Sequence, residues 1–164
     1  GNTNRTLVLP DEAGTVLTSG TAGVPIGGPA FSAYQSAATS IPNSTAVKIL
    51  FGVESFDSNN SFASSTFTPT VAGYYQVTGK VAFSTNATNS RWVSLFKNGG
   101  KVADMGWTTG NGTNYAEVTG GYLIYMNGST DYIDLYAYQN SGATLTTDGG
   151  VSTHFQAAMV RSAT

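Results

Sequence analysis

Gly73-Tyr74-Tyr75-Gln76-Val77-Thr78-Gly79-Lys80-Val81-Ala82-Phe83-Ser84 is the stretch that decides the fold. Tyr75, Val77, Val81 and Phe83 recur at every second position, with Gln76, Thr78 and Lys80 between them. Side chains of a strand alternate between its faces, so this spacing predicts a long strand with one buried and one more polar face. Gly79 falls on the buried parity, where a missing side chain predicts a bulge or a close backbone approach. Ala72-Gly73 supplies a turn into the strand. The stretch is expected to be the central strand of an antiparallel sandwich.

Working outward, the remaining apolar runs are short and separated by turn residues. Ala30 to Tyr34, Val47 to Phe51, Arg91 to Lys97, Tyr115 to Met126, Tyr132 to Tyr136 and Val151 to Arg161 read as strands. Asp57-Ser58-Asn59-Asn60 and Asn127-Gly128 read as turns, and Ser61 to Thr68 leads into the deciding stretch. Asn98-Gly99-Gly100 makes a hairpin whose return is Lys101 to Trp107. Residues 1–28 differ: Thr6 to Pro10 and Thr15 to Thr18 are short extended pieces, and Gly20 to Pro29 is a Gly-rich linker. The division expected is therefore a linker over 1–28 and a strand-rich domain over 29–164.

Composition narrows the function. Charged residues are only 10%, against roughly 25% in ordinary soluble domains, and Ser, Thr and Asn fill about a third of the chain instead. A net charge of −2 with seven scattered Lys and Arg does not suit nucleic-acid binding, which needs basic clusters. No apolar run approaches the ~20 residues of a membrane span, so no membrane insertion is expected. There is no cysteine, so packing alone must hold the core.

Five ordered motifs carry a resemblance to a known family. Phe67-x3-Val71-Ala72-Gly73-Tyr74-Tyr75-x-Val77 resembles the C1q/TNF-like signature, with Ala72 where that family has Pro and Val77 where it has Phe. Ala30-Phe31-Ser32-Ala33 is similar to the family's opening strand. Val93 to Gly99 resembles its Val-x-Leu-x-Lys-Asn-Gly, and the run Gly128 to Leu135 its Gly-Asp-x-Val-x-Leu with two extra residues, Ser129 and Thr130. Thr153-x-Phe155-x-Ala157 resembles its closing strand, with Ala in place of Gly. The resemblance spans roughly residues 29–162. It implies an all-β, ten-stranded antiparallel jelly-roll sandwich that assembles as a homotrimer at the end of a stalk. The run from Thr6 to Ser19 also looks like segments of bacteriophage tail-fibre and related virion proteins, and that resemblance implies that residues 1–28 join an upstream fibre shaft to a head domain over 29–164.

On that reading the first, central and last strands share a sheet whose outer face meets the neighbours about a threefold axis. Phe155 points inward, so His154 and Gln156 face the axis, with Tyr34, Tyr74 and Gln76 as further interface residues. In the other sheet Val93, Leu95, Ile133 and Leu135 are core, which leaves Trp92, Phe96, Tyr132 and Tyr136 outward and Trp107 on the edge. Aromatic faces beside Asn, Asp and Ser suit a host cell-surface glycan or protein. The competing reading is that loops or long side chains cover them.

Catalytic constellations are thin. His154 is the only histidine and sits mid-strand without a Gly-x-Ser-x-Gly elbow, so no enzyme is expected. No spacing singles out a carboxylate pair among the nine acids. No cofactor is required. Calcium enters only through the resemblance, which implies Asp148 in the loop before the last strand as a ligand, against a plain solvated turn aspartate. The expected function is attachment of a phage or virion fibre tip, or another extracellular surface, to a host ligand. The alternatives are a purely structural trimerisation knob and the terminal domain of a bacterial collagen-like filament.

Overall fold

The computed structural model describes residues 28–163. The expected linker over 1–28 lies outside the described residues apart from Gly28. Among the described residues thirteen strands follow one another, and no helix is long and apolar enough to cross a membrane. They are β1 (Ala30–Gln35), β2 (Ser40–Ile41), β3 (Val47–Lys48), β4 (Val53–Asp57), β5 (Phe62–Ala63), β6 (Thr66–Phe67) and β7 (Gly73–Phe83). Then come β8 (Asn86–Lys97), β9 (Gly100–Asn111), β10 (Ala116–Met126), β11 (Ile133–Gln139), β12 (Leu145–Thr146) and β13 (Gly150–Ser162). Eight are long and five are two-residue pieces, which is how the count differs from the ten expected.

Eleven of the strands build two antiparallel sheets, and β12 pairs with β2 in a separate two-stranded one. The first runs β10-β7-β13-β1-β4, and the second runs β5-β6-β11-β8-β9 with β3 also on β11. The deciding stretch is an interior strand of the first sheet, but the middle place belongs to β13. The facing sides interdigitate as in other sandwiches. Phe31, Tyr75, Val77, Val81, Phe83 and Phe155 from the first sheet meet Phe67, Val93, Leu95, Ile133 and Leu135 from the second, all fully buried. Phe31 stacks on Phe62 at 4.3 Å and on Phe67 at 4.6 Å, and its edge meets Phe155 at 5.0 Å. Tyr75 spends its hydroxyl on the Val71 carbonyl at 2.7 Å, so the ring is buried without an orphaned donor.

Two local expectations change. Val47 to Phe51 forms a strand only over Val47–Lys48. The chain crosses there from the second sheet to the first, and the Phe51 N–H is taken by Ser65 Oγ at 2.8 Å instead of a ladder partner. At Gly79 the ladder to β10 and β13 runs without a register shift, so there is no bulge. The glycine instead makes room for Leu135 of the opposite sheet. A second close approach joins the sheets at one edge, where a Cβ on Gly120 of β10 would collide with the Met105 backbone of β9.

Buried polar groups clip the short pieces in place. Lys48 pairs with Asp134 at 2.8 Å, and Thr66 donates to the same carboxylate at 2.7 Å, fixing β3 and β6 to β11. Lys97 pairs with Asp131 at 2.7 Å, while Asn98 donates to Asp131 at 2.8 Å and accepts from the Tyr132 N–H at 3.0 Å. The β8–β9 hairpin tip is thereby tied to the loop before β11. Its turn has Asn98 and Gly99 both at positive φ, 52° and 79°, the geometry a two-residue hairpin asks for. Arg91 lies buried on the inner parity and donates to the carbonyls of Asn86, Thr88 and Ser90 at 2.9–3.2 Å, holding the start of β8.

Candidate functional site

Two outer faces carry the residues expected to act. On the first sheet, the register sets transverse rows. Tyr34, His154, Lys80 and Thr119 stand in one row; Ser32, Gln156, Thr78 and Gly121 in the next; Ala30, Ala158, Gln76 and Leu123 in the third. Tyr74 and Tyr125 pair beyond them, with ring centroids 5.5 Å apart. All five residues expected at a trimer interface therefore share this face. Phe155 is in the core and His154 and Gln156 are outside, as the parity requires.

The face is graded. One end is polar: Lys80 pairs with Glu117 at 2.9 Å, and His154 Nδ1 lies 3.1 Å from the Val151 carbonyl. The other end is apolar and open. Tyr74 and Tyr125 are each 43% exposed, Leu123 54% and Val160 59%, with Phe56 at 54% on the edge strand β4. Tyr74, Leu123 and Val160 line a depression of about 500 Å³ with Arg161, Ser162 and Ala163. Leu123, Tyr125, Val160 and Phe56 were not singled out in the sequence, although Leu123 and Tyr125 follow from the parity of Ile124 and Met126.

The outer face of the second sheet is a grid of three rows. The first holds Tyr138, Trp92 and Trp107; the second Tyr136, Ser94 and Asp104; the third Asp134, Phe96 and Lys101. Trp92 meets Tyr138 edge to face at 5.3 Å, and Phe96 stacks on Tyr136 at 3.9 Å. These four rings are half-buried by one another, while Trp107 is 65% exposed. Of the five expected contact residues the fold gathers Trp92, Phe96, Tyr136 and Trp107. Tyr132 lies apart, in the turn before β11, held against the hairpin tip.

Ser94 is the small residue at the middle of the grid, and the result is a hollow. It has a volume of about 180 Å³ and is lined by Ala46, Trp92, Ser94, Phe96, Lys101, Asp104 and Tyr138. Ser94 Oγ donates to Asp104 Oδ1 at 2.5 Å, and Lys101 Nζ reaches Asp104 Oδ2 at 3.0 Å. The Ser94 hydrogen bond is the main reason the Asp104 carboxyl titrates below its usual value; partial burial opposes it and Lys101 adds to it. Asp104 is thus a carboxylate at any physiological pH.

Asp148 gives its N–H to the Ala82 carbonyl at 2.7 Å in the loop before β13. No group of three or more His, Asp or Glu gathers there or elsewhere among the described residues.

The chain matches no known family model and no curated protein. Solved structures do match. The globular domain of zebrafish complement 1qA aligns at TM-score 0.62 and 18% identity, over 83% of this chain and 99% of that one. Murine APRIL aligns at TM-score 0.61 and 10% identity, over 81% and 99%. Eiger TNF from S. frugiperda aligns at TM-score 0.61 and 6% identity, over 84% and 96%. At such identities the likeness is one of fold, and it establishes this one: an all-β, C1q/TNF-like antiparallel jelly roll.

Proposed function

We propose that the chain is a non-enzymatic head domain that closes into a homotrimer through the outer face of its first sheet and attaches to a host-surface ligand through its second. The observation that carries the reading is the open apolar end of the first sheet's outer face, where Tyr74, Leu123, Tyr125 and Val160 stand together. Contiguous exposed apolar surface of this kind marks a contact with another chain. A face meeting a different part of its neighbour closes as a ring when the rotation permits, and the C1q/TNF resemblance implies a ring of three. His154 would then repeat three times about the axis.

The placement of the ends supports a stalked head. β1 begins and β13 ends on the same side of the sandwich, where Pro29 accepts from Met159 and Ala163 donates to Ala72. A shaft entering there leaves the loops over 36–46, 112–115 and 140–149 on the far end. With the phage-fibre likeness of residues 6–19, the reading is a phage or virion fibre tip, displayed outside the host cell.

A structural knob is the second reading, favoured by the pairwise packing of Trp92 on Tyr138 and Phe96 on Tyr136. Incubation of the labelled chain with intact bacteria of many hosts separates the two. Saturable binding weakened by Trp107→Ala is expected for attachment; no binding to any host leaves the knob.

A further inference from the structure

We propose that the hollow over Ser94 binds a single hexopyranose ring of a neutral saccharide. This deepens the attachment reading and rests on it. A hexopyranose has a flat C–H face and a rim of hydroxyls, so a site for it needs an aromatic wall beside strong hydrogen-bonding groups. The grid supplies both. Trp92 and Tyr138 wall one side, Phe96 the other, and Ser94 leaves the space between them unfilled. Across β9, Trp107 extends the wall as an open indole.

The polar side is equally defined. Ser94 occupies Asp104 Oδ1, whereas Oδ2 meets only Lys101 and keeps lone pairs for ligand hydroxyls; nearly half of the Asp104 side chain is exposed. Lys101 supplies the complementary donor, and it is about half exposed. Hydrogen bonds to a charged partner are the strong ones, so an acceptor and a donor of this kind fix the ring's orientation. Because the two charges offset each other, neither an anionic sugar nor a quaternary ammonium ion is favoured over a neutral one. A volume of about 180 Å³ is well below the roughly 300–1,000 Å³ of sites for drug-sized ligands, which limits the occupant to one ring.

The chain's two tryptophans, Trp92 and Trp107, stand side by side in the grid, so fluorescence excited selectively at tryptophan reports on this face alone. The test titrates the full chain with methyl glycosides of glucose, galactose, mannose, rhamnose and N-acetylglucosamine, and with choline chloride as a cationic control. A saturable change with at least one glycoside is expected, at a Kd on the order of 1 mM for a single ring. Asp104→Asn, which keeps the shape and removes the charge, should weaken it at least tenfold. Ser94→Leu, which fills the floor, should abolish it, with both variants melting as wild type. No saturable response to any glycoside, a response to choline alone, or unchanged affinity in either folded variant overturns the site. Binding to cells that survives both substitutions removes this site and spares attachment; glycoside binding by a chain that adheres to no cell does the reverse.

Discussion

Leu135 fills the space that Gly79 leaves open: its Cδ1 lies 2.5 Å from where a Cβ on that glycine would stand. The two residues belong to opposite sheets, and Leu135 is fully buried. A methyl group at 79 must push Leu135 off its rotamer. Gly79→Ala should therefore cost about 1–3 kcal/mol in urea denaturation. Leu135→Val should cost less in the Gly79→Ala background than alone, because the shorter side chain relieves the overlap. Simple additivity of the two would show that the glycine is there for another reason.

Gly120 should be less forgiving. Its Cβ would meet the Met105 backbone carbonyl, which cannot rotate away as a leucine can. Gly120→Ala should destabilise more than Gly79→Ala in the same urea series, and the reverse order would contradict the close approach of β9 and β10.

Acid should loosen the loop before β11. Burial alone would raise Asp131, but hydrogen bonds from Lys97, Asn98 and the Asn127 N–H outweigh it and hold its pKa below the usual value. A depressed folded pKa contributes stability above the unfolded value of roughly 4, lost as pH falls through the folded one. Asp131→Ala should lose about 1–3 kcal/mol at neutral pH and flatten the acid limb of a melting-temperature profile below pH ~4. A variant limb as steep as wild type would assign acid sensitivity elsewhere.

Base should act through Tyr75. Burial pushes its phenol up to about 12. A raised folded pKa means stability that is complete below the unfolded value of about 10 and declines as pH climbs towards the folded one. Tyr75→Phe should cost about 1 kcal/mol at neutral pH, for the lost bond to Val71, and soften the alkaline decline between these values. Spectrophotometric titration beside thermal melts checks both.

Much of the fold was legible because buried strands alternate. β7, β13 and the β8–β9 hairpin could be placed from residue parity and Asn98-Gly99, and once the resemblance put Phe155 inside, parity put His154 and Gln156 outside. β4 was missed because it is an edge strand with Glu54, Ser55 and Phe56 all exposed, so no apolar rhythm marks it. The hollow was half legible. Tyr138 shares the parity of Tyr136 and could have been named. Lys101, Asp104 and Trp107 are three apart, a spacing that no regular strand puts on one face. Register shifts opposite Leu95/Phe96 and Val93/Ser94 bring them together, and Met105 turns inward against Gly79. Gly106 beside the second shift is a local mark of a bulge, but a glycine alone does not say which residue of the strand is the extra one.

The association of three copies through the first sheet is the claim on which the account turns, and light scattering of the purified chain at micromolar concentration tests it. The expected mass is three times that of one 17.0 kDa chain, and Leu123→Lys on the apolar end of that face should return a folded single chain. A wild-type protein that scatters as one folded 17.0 kDa particle would contradict it.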